Sequence, residues 1–157
     1  MNVKELEELV NYIVDEGERV KSKYLEEETG PVDYLSIFCK DEKEKNELLS
    51  LMKTEGEFIQ DAPTGPNFKL RTPIMTKSGP VPLIKIRNTD PVKRQRGAPD
   101  FRVKNYEEFK RKYLGRKNIN LIDRKTFEMI EIWDPDADVL VYFCSIPMTK
   151  QLGIKTD

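Results

Sequence analysis

At Ala98-Pro99-Asp100-Phe101-Arg102-Val103-Lys104-Asn105-Tyr106 the chain starts, for a second time, a pattern that it has already run once. Residues 98–103 have the length and alternation of a strand. Tyr106 to Leu114 follow as a helix with Tyr106, Phe109, Tyr113 and Leu114 on one side. Ile119 to Ile122 then reads as a short strand. Phe127 to Trp133 and Val139 to Phe143 read as a hairpin around Asp134-Pro135-Asp136-Ala137-Asp138.

The earlier run has the same order. Val32 to Cys39 is a strand, and Lys40-Asp41-Glu42 opens a helix with Asp41 as N-cap and Leu48, Leu49, Leu51 and Met52 as its apolar side. Gly56 stops it. Glu57 to Gln60 is a short strand, and Ala62-Pro63-Thr64-Gly65-Pro66 is a turn. Phe68 to Met75 and Val81 to Arg87 are further strands joined by Lys77-Ser78-Gly79-Pro80. Two echoes support duplication over a chance succession of elements: Asp33-Tyr34 against Asp100-Phe101, and Leu83-Ile84-Lys85-Ile86 against Met129-Ile130-Glu131-Ile132. The expected class is α+β, with two βαβββ-like halves.

A long helix precedes them. Over residues 3–27, Val3, Leu6, Val10, Ile13, Val20 and Tyr24 recur at three- and four-residue steps, with Gly17 in the same series and Leu9 and Val14 beside it. Gly17 marks a kink or a close packing point. Thr29-Gly30-Pro31 is expected to end the helix. The stripe suits packing on the domain's own core or on a second subunit. The expected organisation is a packed helix over 1–30, a domain over 31–146 with halves of about 31–88 and 98–146, and a polar, loosely held tail over 147–157.

Composition narrows the function classes. The chain has 157 residues, 38% hydrophobic and 35% charged, with a net charge of −1, so it can bury a core but offers no global basic field for nucleic acid. The Lys- and Glu-rich surface is of the kind seen in proteins from hot environments. No run approaches the ~20 apolar residues of a membrane helix, and the acidic start, Met1-Asn2-Val3-Lys4-Glu5-Leu6-Glu7-Glu8, is unlike a signal peptide. The cytoplasm is the expected location, with no membrane partner. There is no histidine, which excludes a Ser-His-Asp triad and any His-based proton shuttle. Cys39 and Cys144 each end an apolar run, and are expected as buried reduced thiols rather than a disulfide or a metal pair. Phosphate-binding, dinucleotide and nucleophile-elbow glycine motifs are missing.

The repeated βαβββ order resembles the vicinal oxygen chelate, or glyoxalase/bleomycin-resistance-like, superfamily. Trp133-Asp134-Pro135-Asp136-Ala137-Asp138-Val139-Leu140-Val141-Tyr142 resembles that family's Asp-Pro-Asp hairpin and the strand after it, and Ala98 to Tyr106 resembles the start of its second unit. The likeness spans about residues 32–144. It implies a curved mixed sheet around a pocket. Metal-dependent members place ligand side chains where this chain, in the nearest register, has Val32 or Asp33, Ala98 and Val141. Val32, Ala98 and Val141 carry no donor, so the resemblance implies a divergent member with no metal and no cofactor.

Strand alternation puts Ala98, Asp100 and Arg102 on one face and Pro99, Phe101 and Val103 on the other. The first face is expected to line the pocket, where Tyr34 joins it. The loop Asp90-Pro91-Val92-Lys93-Arg94-Gln95-Arg96-Gly97 has three positive charges in four residues and leads into Asp100. Arg94 and Arg96 complete the expected ligand-binding set, Tyr34, Asp100, Arg102, Arg94 and Arg96. Lys85 and Arg87 share a face of their strand, and Lys85 and Glu131 read more readily as the solvated sides of theirs. The first functional expectation is metal-independent binding of a small polar or anionic molecule, with a homodimer as the candidate assembly. A carboxylate-based lyase or isomerase using Asp100, Glu128 or Glu131 is the alternative. A third is an interaction module acting through the first helix or the basic loop, with nucleic acid the less favoured partner.

Overall fold

The computed structural model describes residues 1–155. Helix α1, Val3–Tyr24, is capped by Asn2, whose side chain accepts from the Glu5 amide at 2.8 Å, and buries Leu6, Val10, Ile13, Val14 and Val20. It ends at Leu25, earlier than Thr29-Gly30-Pro31. Then come β1 (Val32–Phe38), α2 (Glu42–Glu55), β2 (Gly56–Gln60), β3 (Asn67–Thr76) and β4 (Gly79–Arg87). The second run is β5 (Gly97–Phe101), α3 (Tyr106–Tyr113), β6 (Ile119–Arg124), β7 (Phe127–Trp133) and β8 (Leu140–Cys144), with α4 (Met148–Gln151) after it.

The strands form one open, mixed eight-stranded sheet in the order β2-β3-β4-β1-β5-β8-β7-β6. This is the expected α+β class with a long leading helix. Each run places its first strand parallel to its last, β1 with β4 and β5 with β8, and the two runs meet where β1 and β5 pair antiparallel. The antiparallel hairpins inside each run are joined by short turns, whereas each parallel pair closes only after a helix and two further strands have been laid down.

The sheet has two apolar faces. Leu35, Ile37, Ile84, Ile86, Phe101, Ile130, Ile132, Val141 and Phe143 face the helices and form the main core with α1, Phe109 and Tyr113. Tyr34, Phe38, Leu83, Ala98, Met129, Tyr142 and Cys144 form a second cluster with Met148 of α4. The sheet curls around this second face, because Gln60 on one edge strand and Arg124 on the other line one cavity.

Helix α1 crosses the seam between the runs. A Cβ at Gly17 would collide with Pro99 Cγ, and one at Gly97 would lie 2.7 Å from Ile13 Cδ1 and 2.5 Å from the Ser36 carbonyl oxygen. Gly17 is thus a close packing point. The start of the tail is held more firmly than its polarity predicts, residues 156–157 lying outside the described residues: Met148 and Thr149 of α4 are buried, and Thr149 donates to Asp33 from both its amide and its hydroxyl. The segment looks polar because its anchor is a hydrogen-bonded threonine. No helix among the described residues is long and apolar enough to cross a membrane.

Candidate functional site

The second face of the sheet holds a cavity of about 390 Å³. Register explains its floor. Asn67 pairs with Lys85, Lys85 with Ser36, and Ser36 with Ala98, so these four stand in one row across β3, β4, β1 and β5. A second row runs Tyr34, Asp100, Tyr142 and Glu131 across β1, β5, β8 and β7. Paired residues on adjacent strands share a face, which brings side chains distant in sequence into contact.

Three cations converge on the cavity: Lys85 and Arg87 of β4, and Arg124 at the end of β6. Among the described residues, no Asp or Glu lines it. Lys85 Nζ donates to Thr64 Oγ1 at 3.0 Å. Burial lowers the Lys85 pKa, and the nearby Arg87 and Arg124 charges lower it further. The Arg87 guanidinium lies 4.7 Å from the centre of the Phe38 ring, its neighbour across β1, in cation–π contact. The Tyr142 phenol is pushed up to about 12, chiefly by burial and then by Glu131, while the Arg87 charge opposes the rise. Tyr34 is raised too, first by burial and then by Asp100. Asn67 is buried, yet its Oδ1 has no hydrogen-bond partner among the described residues. Phe127, Met129, Met148 and Leu152 supply an apolar wall, while Gln60, Arg124, Thr126 and Gln151 form an exposed rim.

The described lining does not suit a divalent cation, because it offers three positive charges and no carboxylate, imidazole or thiol. Val32 and Val141 turn towards the helices and pack in the main core, whereas Tyr34 and Tyr142 turn towards the cavity.

The residues expected to bind ligand are dispersed. Tyr34 lines the cavity. Asp100 lies on the same face but beneath it, 1% exposed, where it accepts from the Cys144 thiol at 2.8 Å and the Cys144 amide at 3.3 Å. Burial pushes its carboxyl up to about 7, and Asp33 adds to the rise, while the two Cys144 bonds oppose it. Arg102 falls just past the end of β5 and does not line the cavity. It pairs with Asp33 at 2.8 Å and donates to Thr149 Oγ1 at 2.7 Å. A register shift between Val32 and Tyr34 releases Asp33 from simple alternation, which lets it reach Thr149 and Arg102.

The basic loop is divided. Arg94 donates to the Ala137 and Pro135 carbonyl oxygens at 3.1 and 2.9 Å and so secures the β7–β8 turn. Arg96 forms a two-pronged pair with Glu44 at 2.9 and 3.0 Å and also donates to the Phe38 carbonyl. Of the carboxylate candidates, Glu128 faces α3, bonded to Tyr106 at 2.8 Å and Lys110 at 2.8 Å, and Glu131 stands beside Tyr142. A larger cleft of about 1010 Å³ lies beside α3, but its charges are mixed and partly paired, as in Lys112–Glu27 at 3.1 Å.

Lys85 and Arg87 carried a usable signal in the sequence. Alternation with Ile84 and Ile86 puts both cations on one face, and the sheet's order and curl turn that face into a hollow. Arg124 and Asn67 carried none, since only the curl and the register bring them to Lys85.

No family model matches the chain, and no curated protein matches it. Among solved structures, one described as "Structural Genomics, Protein EC4020" is similar with a TM-score of 0.70 at 10% identity, over 95% of this chain and 92% of that one. A glyoxalase/bleomycin resistance protein/dioxygenase superfamily member from Vibrio splendidus 12B01 aligns with a TM-score of 0.45 at 15% identity, over 71% of this chain and 95% of that one. The first likeness establishes a shared fold.

Proposed function

We propose that this protein binds a small organic anion, without a metal, in the cavity on the concave face of its sheet, in the manner that the glyoxalase-like resemblance of its sequence implies. The convergence of Lys85, Arg87 and Arg124 on a cavity whose described lining has no carboxylate carries this reading. Like charges brought together in a partly buried hollow repel, and an anion relieves that repulsion while forming charge-assisted hydrogen bonds. The apolar wall of Phe127, Met129, Met148 and Leu152 favours a ligand with a hydrocarbon body over a bare inorganic anion. Asn67, with its unpaired Oδ1, supplies a buried acceptor for a hydroxyl or amide of the ligand.

The reading moves the anion-binding role from Arg94, Arg96 and Arg102 to Lys85, Arg87 and Arg124, because the first three guanidiniums already hold carbonyl or carboxylate partners. Tyr34 stays in the site, and Asp100 becomes part of its support.

The test is protein-observed NMR titration with 2-hydroxy-4-methylpentanoate and with its neutral amide. Binding of the acid that is at least about tenfold tighter than that of the amide, and lost in Arg87→Met and Arg124→Met, agrees with one charge-assisted contact per residue. Equal shifts from acid and amide, or binding unchanged in both variants, overturns the proposal.

A further inference from the structure

The cavity holds a group with chemistry beyond charge. We propose that Lys85 is a nucleophile that forms an imine with an anionic carbonyl compound, a 2-oxo acid, held in the cavity by Arg87 and Arg124. This inference rests on the binding site described above and adds a covalent step to it.

Three observations support the step. Lys85 Nζ is held by the Thr64 hydroxyl at 3.0 Å, and among the described residues no carboxylate lines the cavity around it. An amine without a carboxylate partner is not locked in its protonated form. Next, Arg87 lies two residues further along the same strand face, roughly 6.6 Å away along the strand. That spacing accommodates a carboxylate against the guanidinium with the adjacent carbonyl carbon against the amine. Finally, burial and the two arginine charges shift Lys85 towards the free amine, the combination that activates lysine nucleophiles in general.

The step balances without an oxidant or reductant. The Lys85 nitrogen lone pair attacks the carbonyl carbon, forming a C–N bond and a carbinolamine. The C–O bond then breaks, and the two hydrogens of the amine leave with the carbonyl oxygen as water, giving the imine.

The experiment incubates the intact protein with 4-methyl-2-oxopentanoate and cyanoborohydride, which reduces an imine to a stable secondary amine, and maps the adduct by peptide mass spectrometry. In parallel, NMR titration follows 2-hydroxy-4-methylpentanoate, which has the same shape and charge but no ketone carbonyl. The expected result is modification of Lys85 at least tenfold above exposed lysines such as Lys43 and Lys93. It should fall at least tenfold in Arg87→Met and be absent from that position in Lys85→Arg. Hydroxy-acid binding without preferential Lys85 modification overturns the imine step and leaves anion binding standing. No binding of either acid overturns both.

Discussion

The Cys144 thiol and the Asp100 carboxylate meet at 2.8 Å beneath the floor of the cavity, each nearly sealed from solvent. The contact joins β5 to β8 inside the second run of strands, in the row that also carries Tyr34 and Tyr142. A carboxyl enclosed in this way makes stability depend on pH.

Asp100 is raised to about 7 in the folded protein, above its ordinary value, so between roughly pH 4 and 7 the folded state holds a proton that the unfolded state has lost. Its contribution is full below that window and is lost as pH rises through it, each tenfold gain in proton affinity on folding being worth about 1.4 kcal/mol. Asp100→Asn should flatten this fall and leave the variant more stable than the parent at pH 8. Urea unfolding from pH 4 to 8 measures the difference, and parallel pH profiles for the two proteins would contradict it.

Gly17 sets propensity against packing. Alanine favours an α-helix over glycine by about 1 kcal/mol, but here its methyl would run into Pro99 Cγ across the seam. Gly17→Ala should therefore lower stability, by about 1–3 kcal/mol before the propensity gain. A rise in melting temperature would mean that α1 shifts freely on β5.

The pair of Arg96 with Glu44 ties the loop before β5 to the first turn of α2 and buries the carboxylate. Arg96→Ala leaves that charge without its guanidinium and should cost about 3 kcal/mol. Adding Glu44→Ala should restore part of the loss. Neither change should weaken binding of 2-hydroxy-4-methylpentanoate, because the pair does not line the cavity. Denaturant melts and the same NMR titration separate the two effects.

Cys39 and Cys144 are free and buried, and burial is the main cause that raises each thiol, Cys39 to about 12. Little of either is thiolate at pH 8, so both should resist iodoacetamide in the native protein and react only on unfolding. Mass spectrometry with and without urea reads this directly, and rapid native labelling of either thiol would refute the enclosure.

Much of the fold was legible because it is written in short-range patterns. Short apolar runs between turn residues mark the strands; three- and four-residue steps mark α1; Asp41 and Gly56 mark the ends of α2. These features depend on neighbours in the chain, so the sequence alone determined the order of elements, the repeat, the face on which Asp100 stands and the exclusion of histidine chemistry.

The site was less legible because its geometry is set by contacts between distant residues. Arg102 falls beyond the strand that alternation extended, and a register shift beside Tyr34 turns Asp33 towards it. Arg94 and Arg96, adjacent to one glutamine in sequence, find partners on opposite sides of the loop. Sheet order and curl alone decided that Lys85 and Arg124 share a cavity, since β4 and β6 lie on different halves. Side-chain alternation says which face a residue takes, but which other residues stand on that face depends on strand pairing, and pairing is a property of the whole folded chain.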